Sequence, residues 1–332
     1  TVGVMQNNSE ENYNPLQPIT SGKFKIVKIE RSGPIVKEVI LWNSNDDEDI
    51  KKLAFRYYVN ESELASGARL GEIDGFIAHD NPDLQDFTEY KYPLQGVYYA
   101  LYFNLRKETL QDAELRQKLE KVLNLPSMVA EMGIVVEGPI SRSIFTDRAI
   151  KFDKYERGFT EDLSGKSLVI TVPDIQEHVD MAEKIAEVWQ EKLGIKVEVK
   201  AVNPSELVDS VIKNRDFDVL FYGQEVGRDP DRYVNWHSTQ KDFPGLNLSG
   251  FDHVRSDRAL EEGRKEVDND KRIIHYDEFQ KVIVDQVPAI FLYHPYTRYF
   301  VSNYIEGIGE KYTFTMSDRF LDFYNWKRVK TL

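Results

Sequence analysis

The sequence contains no cysteine. Disulfide bonds, thiolate-ligated zinc and cysteine nucleophiles are therefore excluded together. Long apolar runs are missing too, because the longest, residues 289–293, is far shorter than the ~20 residues of a membrane-spanning helix. Residues 1–5 have neither the basic nor the apolar region of a signal peptide. This start fits a cytosolic protein or an exported chain without its signal, and composition does not choose between them.

Positive charge is in the minority, since 43 Lys and Arg residues against 56 Asp and Glu residues give a formal net charge of −13. Such a chain repels nucleic-acid phosphates and anionic lipid, so no nucleic-acid partner is expected. An acidic groove for cationic ligands and a solvated acidic surface are both compatible with this balance. The 41% hydrophobic and 30% charged residues are typical of a globular protein, and 332 residues suffice for two cores.

Motifs of several enzyme classes are absent. The chain has no Gly-x-Ser-x-Gly, no Gly-x-x-x-x-Gly-Lys and no Gly-x-Gly-x-x-Gly. Its six histidines are scattered without His-x-His or His-Glu-x-x-His spacing, so neither a metal site nor a cofactor is predicted. Asp229 and Asp231 have the composition of an acid/base pair, which keeps a carboxylate-dependent hydrolase as the least favoured alternative. The main prediction is a protein without catalytic residues.

Hydrophobic periodicity predicts an α/β fold. Residues 24–41 alternate as antiparallel strands, residues 61–70 form a helix, residues 97–105 form a strand, and Asp112 caps the next helix. Between residues 167 and 222, three strands alternate with two helices, the first opened by a capping box of Asp174 and Glu177 and ended by Gly194. Helices at 257–267 and 271–287 and a strand at 289–293 follow, whereas 133–162 is mostly loop. A β-α-β-α-β order requires a sheet with helices packed on its faces.

The richest polar and aromatic segment follows the third strand of this unit. Ligand sites in open α/β sheets lie beyond the carboxyl ends of strands, and aromatic walls suit a cleft for a flexible organic ligand. A surface loop with solvated charges is the competing interpretation. The predicted ligand-binding residues are Tyr222, Gly223, Gln224, Glu225, Arg228, Asp229, Asp231, Tyr233 and Trp236.

Several segments, taken in order, carry a resemblance to a known family. They are a glycine followed by an aromatic strand (18–26), Leu-Gly-Glu-Ile-Asp (70–74), Phe-Asn at 103–104 followed by 112–119, the stretch 195–233 with its Asp-Pro-Asp, and the closing segments 257–272 and 288–293. In this order they resemble the family 5 extracellular solute-binding proteins, the peptide- and nickel-binding components of ABC importers.

The resemblance implies a type II periplasmic-binding-protein fold, with two lobes joined by hinge strands. Residues 1–104 plus 295–332 would form a partial lobe I, whose N-terminal part is missing, and residues 105–294 would form lobe II. The hinge residues implied by this alignment are Tyr99, Phe103, Asn104, Tyr293 and Pro295.

The resemblance also implies a function. The chain would capture a peptide-like solute between its lobes and deliver it to ABC permease subunits, as an extracytoplasmic monomer that is periplasmic or lipid-anchored. Residues 222–224 match positions that pair with a peptide backbone, and Glu225 stands near the position of an aspartate that meets the peptide ammonium. Because a glutamate stands near the position of the family's aspartate, nickel, haem, sugars and opines stay open as cargo. A receptor or interaction module that kept the fold without transport is the alternative.

Overall fold

The computed structural model describes residues 23–43, 49–140 and 163–329. They belong to two compact units: unit 1 comprises Thr1–Tyr92, Thr297–Lys311 and Met316–Leu332, and unit 2 comprises Pro93–Tyr296 and Tyr312–Thr315. The sequence placed the division at 104/105 and 294/295, whereas the structure divides the chain at 92/93, 296/297, 311/312 and 315/316. The difference arises because the strand at Val97–Phe103 pairs with strands of unit 2.

Unit 1 contains the predicted antiparallel strands. Strands β1 (Phe24–Ser32), β2 (Ile35–Asn43) and β3 (Lys52–Arg56) form a three-stranded sheet in that order. Helix α1 (Glu61–Arg69) follows, capped by the Asn60 side chain, which accepts a hydrogen bond from the Glu63 N–H. These elements confirm the alternation and the short helix read from the sequence.

The remaining strands of unit 1 surround an aromatic core. Strands β4 (Gly75–Ile77) and β5 (Phe87–Pro93) pair with the long strand that ends at Ser302, and two short strands at Ile305–Glu306 and Lys327–Arg328 pair with each other. Tilted and stacked rings make up most of the buried cluster, whose members include Tyr92, Tyr299, Phe323 and Trp326.

Unit 2 is built on a mixed sheet. Its strands are β6 (Val97–Phe103), β7 (Gly133–Val135), β8 (Ser167–Pro173), β9 (Lys196–Val202), β10 (Val219–Glu225) and the first part of β11 (Ala289–Ser302). The order is β11-β6-β10-β8-β9, with β7 also paired to β11. Strands β8, β9 and β10 are parallel to one another, whereas β6 is antiparallel to both β10 and β11.

Helices cover both faces of this sheet. They are α2 (Glu108–Gln111), α3 (Ala113–Lys121), α4 (Leu125–Val129), α5 (Gln176–Leu193), α6 (Pro204–Leu207, continued by a π-helical turn, Val208–Ile212), α7 (Tyr233–Trp236), α8 (Val254–Lys265) and α9 (Asn269–Gln286). None of the helices in the described ranges is long and apolar enough to cross a membrane.

The predicted β-α-β-α-β unit is confirmed by β8, α5, β9, α6 and β10. Helix α5 ends where expected, at Gly194 with φ of 67°, a left-handed conformation that favours glycine. The expected capping box at its start is wrong: the helix begins after Ile175, and no side chain caps it, so Asp174 lies outside the capping position. Asp112, by contrast, accepts from the Glu114 N–H as predicted.

Two hydrophobic cores sandwich the sheet of unit 2. Alternate residues of β10 point to opposite faces, so Phe221 packs in the core beneath α5 and Leu220 packs in the core beneath α8 and α9. Trp189 of α5 is fully buried, and its Nε1–H donates to the Leu119 carbonyl at 2.8 Å. The middle of β10 is therefore held rigidly from both sides.

Candidate functional site

One edge of β10 is open, which means that no other strand in the part of the chain that the structure describes pairs with it, over more than half of the strand's length. The strand pairs with β6 along its whole length, from Val219 to Glu225. On its other side it pairs with β8 only at Val219 and Leu220. Beyond Leu220, no strand of the described residues pairs with that side of β10. The open edge lies at the carboxyl end of a parallel strand, where ligands of α/β sheets bind.

The hydrogen-bond pattern tells which backbone groups face the open edge. At the two ends of the β6–β10 ladder, the Val226 N–H donates to the Gly96 carbonyl and the Asn104 N–H donates to the Asp218 carbonyl, both at 2.8 Å. Even-numbered residues of β10 thus direct their backbone groups to β6, and odd-numbered residues direct theirs away. The N–H and C=O groups of Gly223 and Glu225 consequently face the open edge, ready to pair with an added extended chain.

Gly223 is a position where a side chain would not fit. A Cβ atom at Gly223 would lie 2.8 Å from Cε1 of Tyr99, its cross-strand neighbour on β6. The Tyr99 ring stacks on Tyr293 with ring centroids 5.0 Å apart. Burial raises the pKa of Tyr99, and the nearby carboxylate of Glu177 adds to this, so the phenol is neutral at physiological pH. The absence of a side chain at Gly223 thus leaves room for the Tyr99 ring against the backbone beside the open edge.

Gln224 is turned towards the protein. Its side chain is 5% exposed. Its Oε1 accepts a hydrogen bond from the Tyr98 hydroxyl at 2.8 Å, and its Nε2 donates to the Leu246 carbonyl at 2.9 Å. Because its backbone faces β6, neither its side chain nor its main chain is offered to the open edge. Of the residues 222–224 predicted to pair with a ligand backbone, Gly223 alone directs its backbone groups outward.

Glu225 ends the open edge with an exposed side chain. Its carboxylate forms no ion pair within the ranges that the structure describes. The backbone groups of Gly223 and Glu225 lie on the same edge of β10. A negative charge thus stands at the end of a row of outward backbone donors and acceptors.

The loop after β10 is organised around a buried arginine. Arg232 has no exposed surface. Its guanidinium donates to the carbonyls of Pro139 at 2.9 Å, Asp229 at 2.6 Å, Gly227 at 3.2 Å and Asp231 at 3.3 Å. A planar guanidinium has five N–H donors and can bind several carbonyls at once. Arg232 therefore holds in place the backbone that follows the open edge.

Asp229 and Asp231 serve this loop as ion-pair and turn residues. Asp229 binds Arg272 of α9 through both carboxylate oxygens, at 2.7 and 2.9 Å. Asp231 lies 2.8 Å from Nε of Arg264 on α8. Each carboxylate also accepts a backbone N–H two residues further along, at 2.9 Å. Their partners are arginines of neighbouring helices, which is the arrangement of a structural tether.

Burial alone raises the pKa of Asp229, but Arg272 and the Asp231 N–H outweigh it and hold the pKa below its ordinary value. A general acid of a hydrolase needs a raised pKa, so Asp229, whose pKa is lowered by its ion pair with Arg272, does not suit that role. Within the described ranges, no cluster of three or more His, Asp or Glu side chains has the arrangement of a metal site.

Acid is expected to remove the contribution of this ion pair to stability. Because the folded-state pKa of Asp229 is depressed, the stabilisation is complete above the unfolded-state pKa of about 3.9 and is lost as the pH falls through the lower folded-state value. Asp229→Asn should cost less than ~1 kcal/mol at pH 7, since the carboxylate is 57% exposed. Urea unfolding of both proteins at pH 7 and pH 2 measures this, and a difference that persists at pH 2 contradicts it.

The aromatic residues predicted for the cleft have different positions. Trp236 is 1% exposed and packs against Tyr102 and Phe291, in the core beneath α8 and α9. The prediction that it lines the ligand cleft is therefore wrong. Tyr233 stacks on His237 at 4.0 Å, beneath the guanidinium of Arg264.

Arg228 and Tyr222 complete the predicted set. The Arg228 guanidinium lies over the Phe314 ring, 5.0 Å from its centroid. Tyr222 is half-buried, on the face of β10 opposite Gly223. The structure thus brings Tyr222, Gly223, Gln224 and Glu225 together on one strand, with the other predicted residues in the loop and helix that follow.

The predicted hinge residues lie within unit 2. Tyr99 and Phe103 are paired in β6, and the buried Asn104 amide donates to the carbonyls of Arg215 and Phe217. Tyr293 and Pro295 belong to β11 and pair with β7. The structure therefore places these residues in a sheet, with Pro295 next to the 296/297 division.

Sequence reasoning missed the residues that fix the site from behind. Arg232 was not among the predicted ligand-binding residues, although it is the buried centre of the loop after β10. Tyr98, which fixes Gln224, had a signal, because it alternates with Ala100 and Tyr102 on the apolar side of a strand. Leu246 contributes only its carbonyl, for which no sequence signal exists.

Comparison with known proteins identifies the family of this chain. The model of the family "Bacterial extracellular solute-binding proteins, family 5 Middle" matches residues 3–244. The oligopeptide-binding protein AppA of Bacillus subtilis (strain 168) is 25% identical over 335 residues, which cover 90% of this chain and 60% of AppA. The dipeptide-binding protein of Pseudomonas aeruginosa is 22% identical over 309 residues, covering 84% of this chain and 56% of the relative. The chain thus spans less than two thirds of the length of these curated relatives.

Solved structures share the fold. NikZ from Campylobacter jejuni, in complex with Ni(L-His), superposes with a TM-score of 0.66 at 20% identity, over 94% of this chain and 69% of NikZ. AppA from Bacillus subtilis, in complex with a nonapeptide, superposes with a TM-score of 0.61 at 21% identity, over 94% of this chain and 67% of AppA. The predicted α/β solute-binding-protein fold is confirmed, and the chain belongs to the family 5 bacterial extracellular solute-binding proteins.

Proposed function

We propose that this chain captures a peptide-like solute for an ABC importer, and that the open edge of β10 pairs with the ligand backbone. The observation that carries the proposal is the outward direction of the backbone groups of Gly223 and Glu225 on a half-unpaired strand. An extended peptide supplies the complementary N–H and C=O groups. Two curated relatives, named as oligopeptide-binding and dipeptide-binding proteins, support the same ligand class.

Membership of the family supports a wider role within this proposal. Unit 2 corresponds to the second ligand-binding lobe and unit 1 to the first, and the segments that join the units act as the hinge. The protein works outside the cytoplasm, as a monomer in a periplasm or held by a lipid at the cell surface, and it docks on permease subunits. No step of this role requires turnover, and the ion-paired aspartates of the loop agree with binding rather than catalysis.

Glu225 supplies the contact to the ligand ammonium. Glu225→Gln is expected to weaken tetra-alanine binding about 10- to 100-fold, because a hydrogen bond to a charged group contributes ~1.5–3 kcal/mol. N-acetyl-tetra-alanine, which has no ammonium, should bind the wild type and the variant equally. Titration calorimetry measures all four affinities.

Glu198→Gln is the matched control, since Glu198 is also exposed and on a strand, but on β9. It should leave the affinity for tetra-alanine unchanged. An unaltered affinity in Glu225→Gln removes the ammonium contact from the proposal. If the wild type binds neither tetra-alanine nor its acetylated form, the assignment of a peptide backbone to the β10 edge is overturned.

A further inference from the structure

A cluster of aromatic rings borders the open edge on the α5 face of the sheet. Tyr99 lies at its centre, with ring-centroid distances of 5.0 Å to Tyr293, 4.8 Å to His178 and 5.9 Å to Phe221. The last three are 2%, 7% and 1% exposed, whereas Tyr99 is partly exposed. Tyr99 is thus the member of the cluster that reaches the surface.

Gly223 has no side chain to stand between Tyr99 and the open edge. The three atoms closest to its missing Cβ are Cε1, Cζ and Cδ1 of Tyr99, at 2.8, 3.0 and 3.2 Å. These atoms form one edge of the ring, so the ring edge lies directly over the Gly223 backbone. A ring that covers a cross-strand glycine shields the sheet by itself. Gly223, however, borders the open edge of β10, so a ligand paired with that edge can also contact the Tyr99 ring.

Strand geometry determines which ligand side chain meets this ring. Residues opposite each other on neighbouring strands project to the same face of the sheet, with Cβ atoms ~4.5–5.5 Å apart. A ligand residue beside Gly223 therefore projects to the α5 face. Because Gly223 has no side chain, the ligand side chain can extend over the Gly223 backbone and reach the edge of the Tyr99 ring.

We infer that Tyr99 and Gly223 together form a side-chain subsite that selects an aromatic residue at the ligand position opposite Gly223. The inference rests on the proposed pairing of a peptide with β10 and adds the class of side chain that the pairing selects. Tyr99 touches the ligand side chain, and Gly223, whose backbone pairs with the ligand, positions the Tyr99 ring by leaving room for it.

The chemistry of the surroundings favours an aromatic partner. The positive edge of an aromatic ring attracts the negative face of a second ring, in the edge-to-face arrangement that aromatic pairs prefer. The buried neighbours of Tyr99 are also rings, so a small or polar ligand side chain would find few matching contacts there. The exposed carboxylates of Glu177 and Glu225 border the same region and disfavour an acidic side chain.

The test compares tetra-alanine with the four tetrapeptides that carry one phenylalanine, each at a different position, by titration calorimetry. In the wild type, one position should show affinity about tenfold higher than tetra-alanine, since an aromatic pair adds ~0.5–1.5 kcal/mol beyond its buried area. Tyr99→Leu should reduce this gain, measured against tetra-alanine binding to the same variant, below about threefold. Tyr99→Phe should keep the gain, because the ring and not the hydroxyl makes the contact.

Gly223→Ala provides a second, independent variant. Its added methyl displaces the ring from the edge, so the phenylalanine preference should fall while Tyr99 itself is still present. The inference is overturned if no position prefers phenylalanine, or if the preference survives in Tyr99→Leu. These results differ from a failure of the proposed function, in which tetra-alanine and all four phenylalanine peptides fail to bind the wild type.

Discussion

Replacing Arg232 with methionine is expected to lower the free energy of unfolding of unit 2 by about 3–5 kcal/mol. The side chain is fully buried, and its guanidinium satisfies four backbone carbonyls of the loop after β10 and of Pro139. Methionine fills much of the volume but donates no hydrogen bond. A buried carbonyl left without a partner costs ~1–3 kcal/mol. The bond to Pro139 is buried and the three bonds to the loop are partly buried, so their combined loss should exceed the stability loss of most single substitutions.

Urea unfolding followed by tryptophan fluorescence measures this loss, since Trp189 and Trp236 are buried in unit 2. Arg264→Met is the matched control: Arg264 pairs with Asp231 in the same region but is 45% exposed, so its loss should cost less than ~1 kcal/mol. Arg232→Lys should recover little, because one ammonium does not span carbonyls arranged for a planar fork. Equal stability of Arg232→Met and Arg264→Met contradicts the structural role assigned to Arg232.

The second large effect is expected for Glu225→Pro, which should bind tetra-alanine roughly 30- to 150-fold more weakly than Glu225→Ala. Both variants lose the carboxylate, so the comparison isolates the backbone. Proline lacks the N–H that Glu225 directs to the open edge, and its ring stands in the path of an added strand. A lost hydrogen bond and this steric conflict together cost ~2–3 kcal/mol.

The fold should tolerate proline at this position and not at the preceding one, Gln224. The Glu225 N–H faces away from β6, whereas the Gln224 N–H faces it. Glu225→Pro should therefore melt within a few degrees of Glu225→Ala, and Gln224→Pro should melt well below both. Equal binding by Glu225→Pro and Glu225→Ala argues against backbone pairing at this edge.

Much of unit 2 could be predicted because its elements depend on local pattern. Helix α5 carries an apolar stripe that includes Met181, Ile185 and Trp189, and the left-handed Gly194 ends it. The failed capping box shows the limit of this reasoning. Spacing indicated a cap at Asp174, but the cap lies at Ile175, where the chain leaves β8, and a one-residue shift removes the hydrogen bond.

The site itself depended on contacts between distant segments. Strand β10 runs on to Glu225, beyond the predicted Tyr222, because β6 still pairs with it there. Whether Trp236 lines a cleft or a core is decided by α8 and α9, which the loop sequence does not encode. The open edge likewise exists because β8 stops pairing after Leu220, a property of two strands far apart in sequence.

Amide hydrogen exchange with and without a saturating peptide tests the central claim most directly. Binding of tetra-alanine, or of the phenylalanine tetrapeptide that binds best, should slow exchange at the Gly223 and Glu225 amides. The Tyr222 and Gln224 amides, already directed to β6, should change little. This alternating pattern is specific to an added strand. Unchanged exchange at Gly223 and Glu225 in the presence of bound peptide would show that the ligand lies elsewhere and that the open edge of β10 is not its binding site.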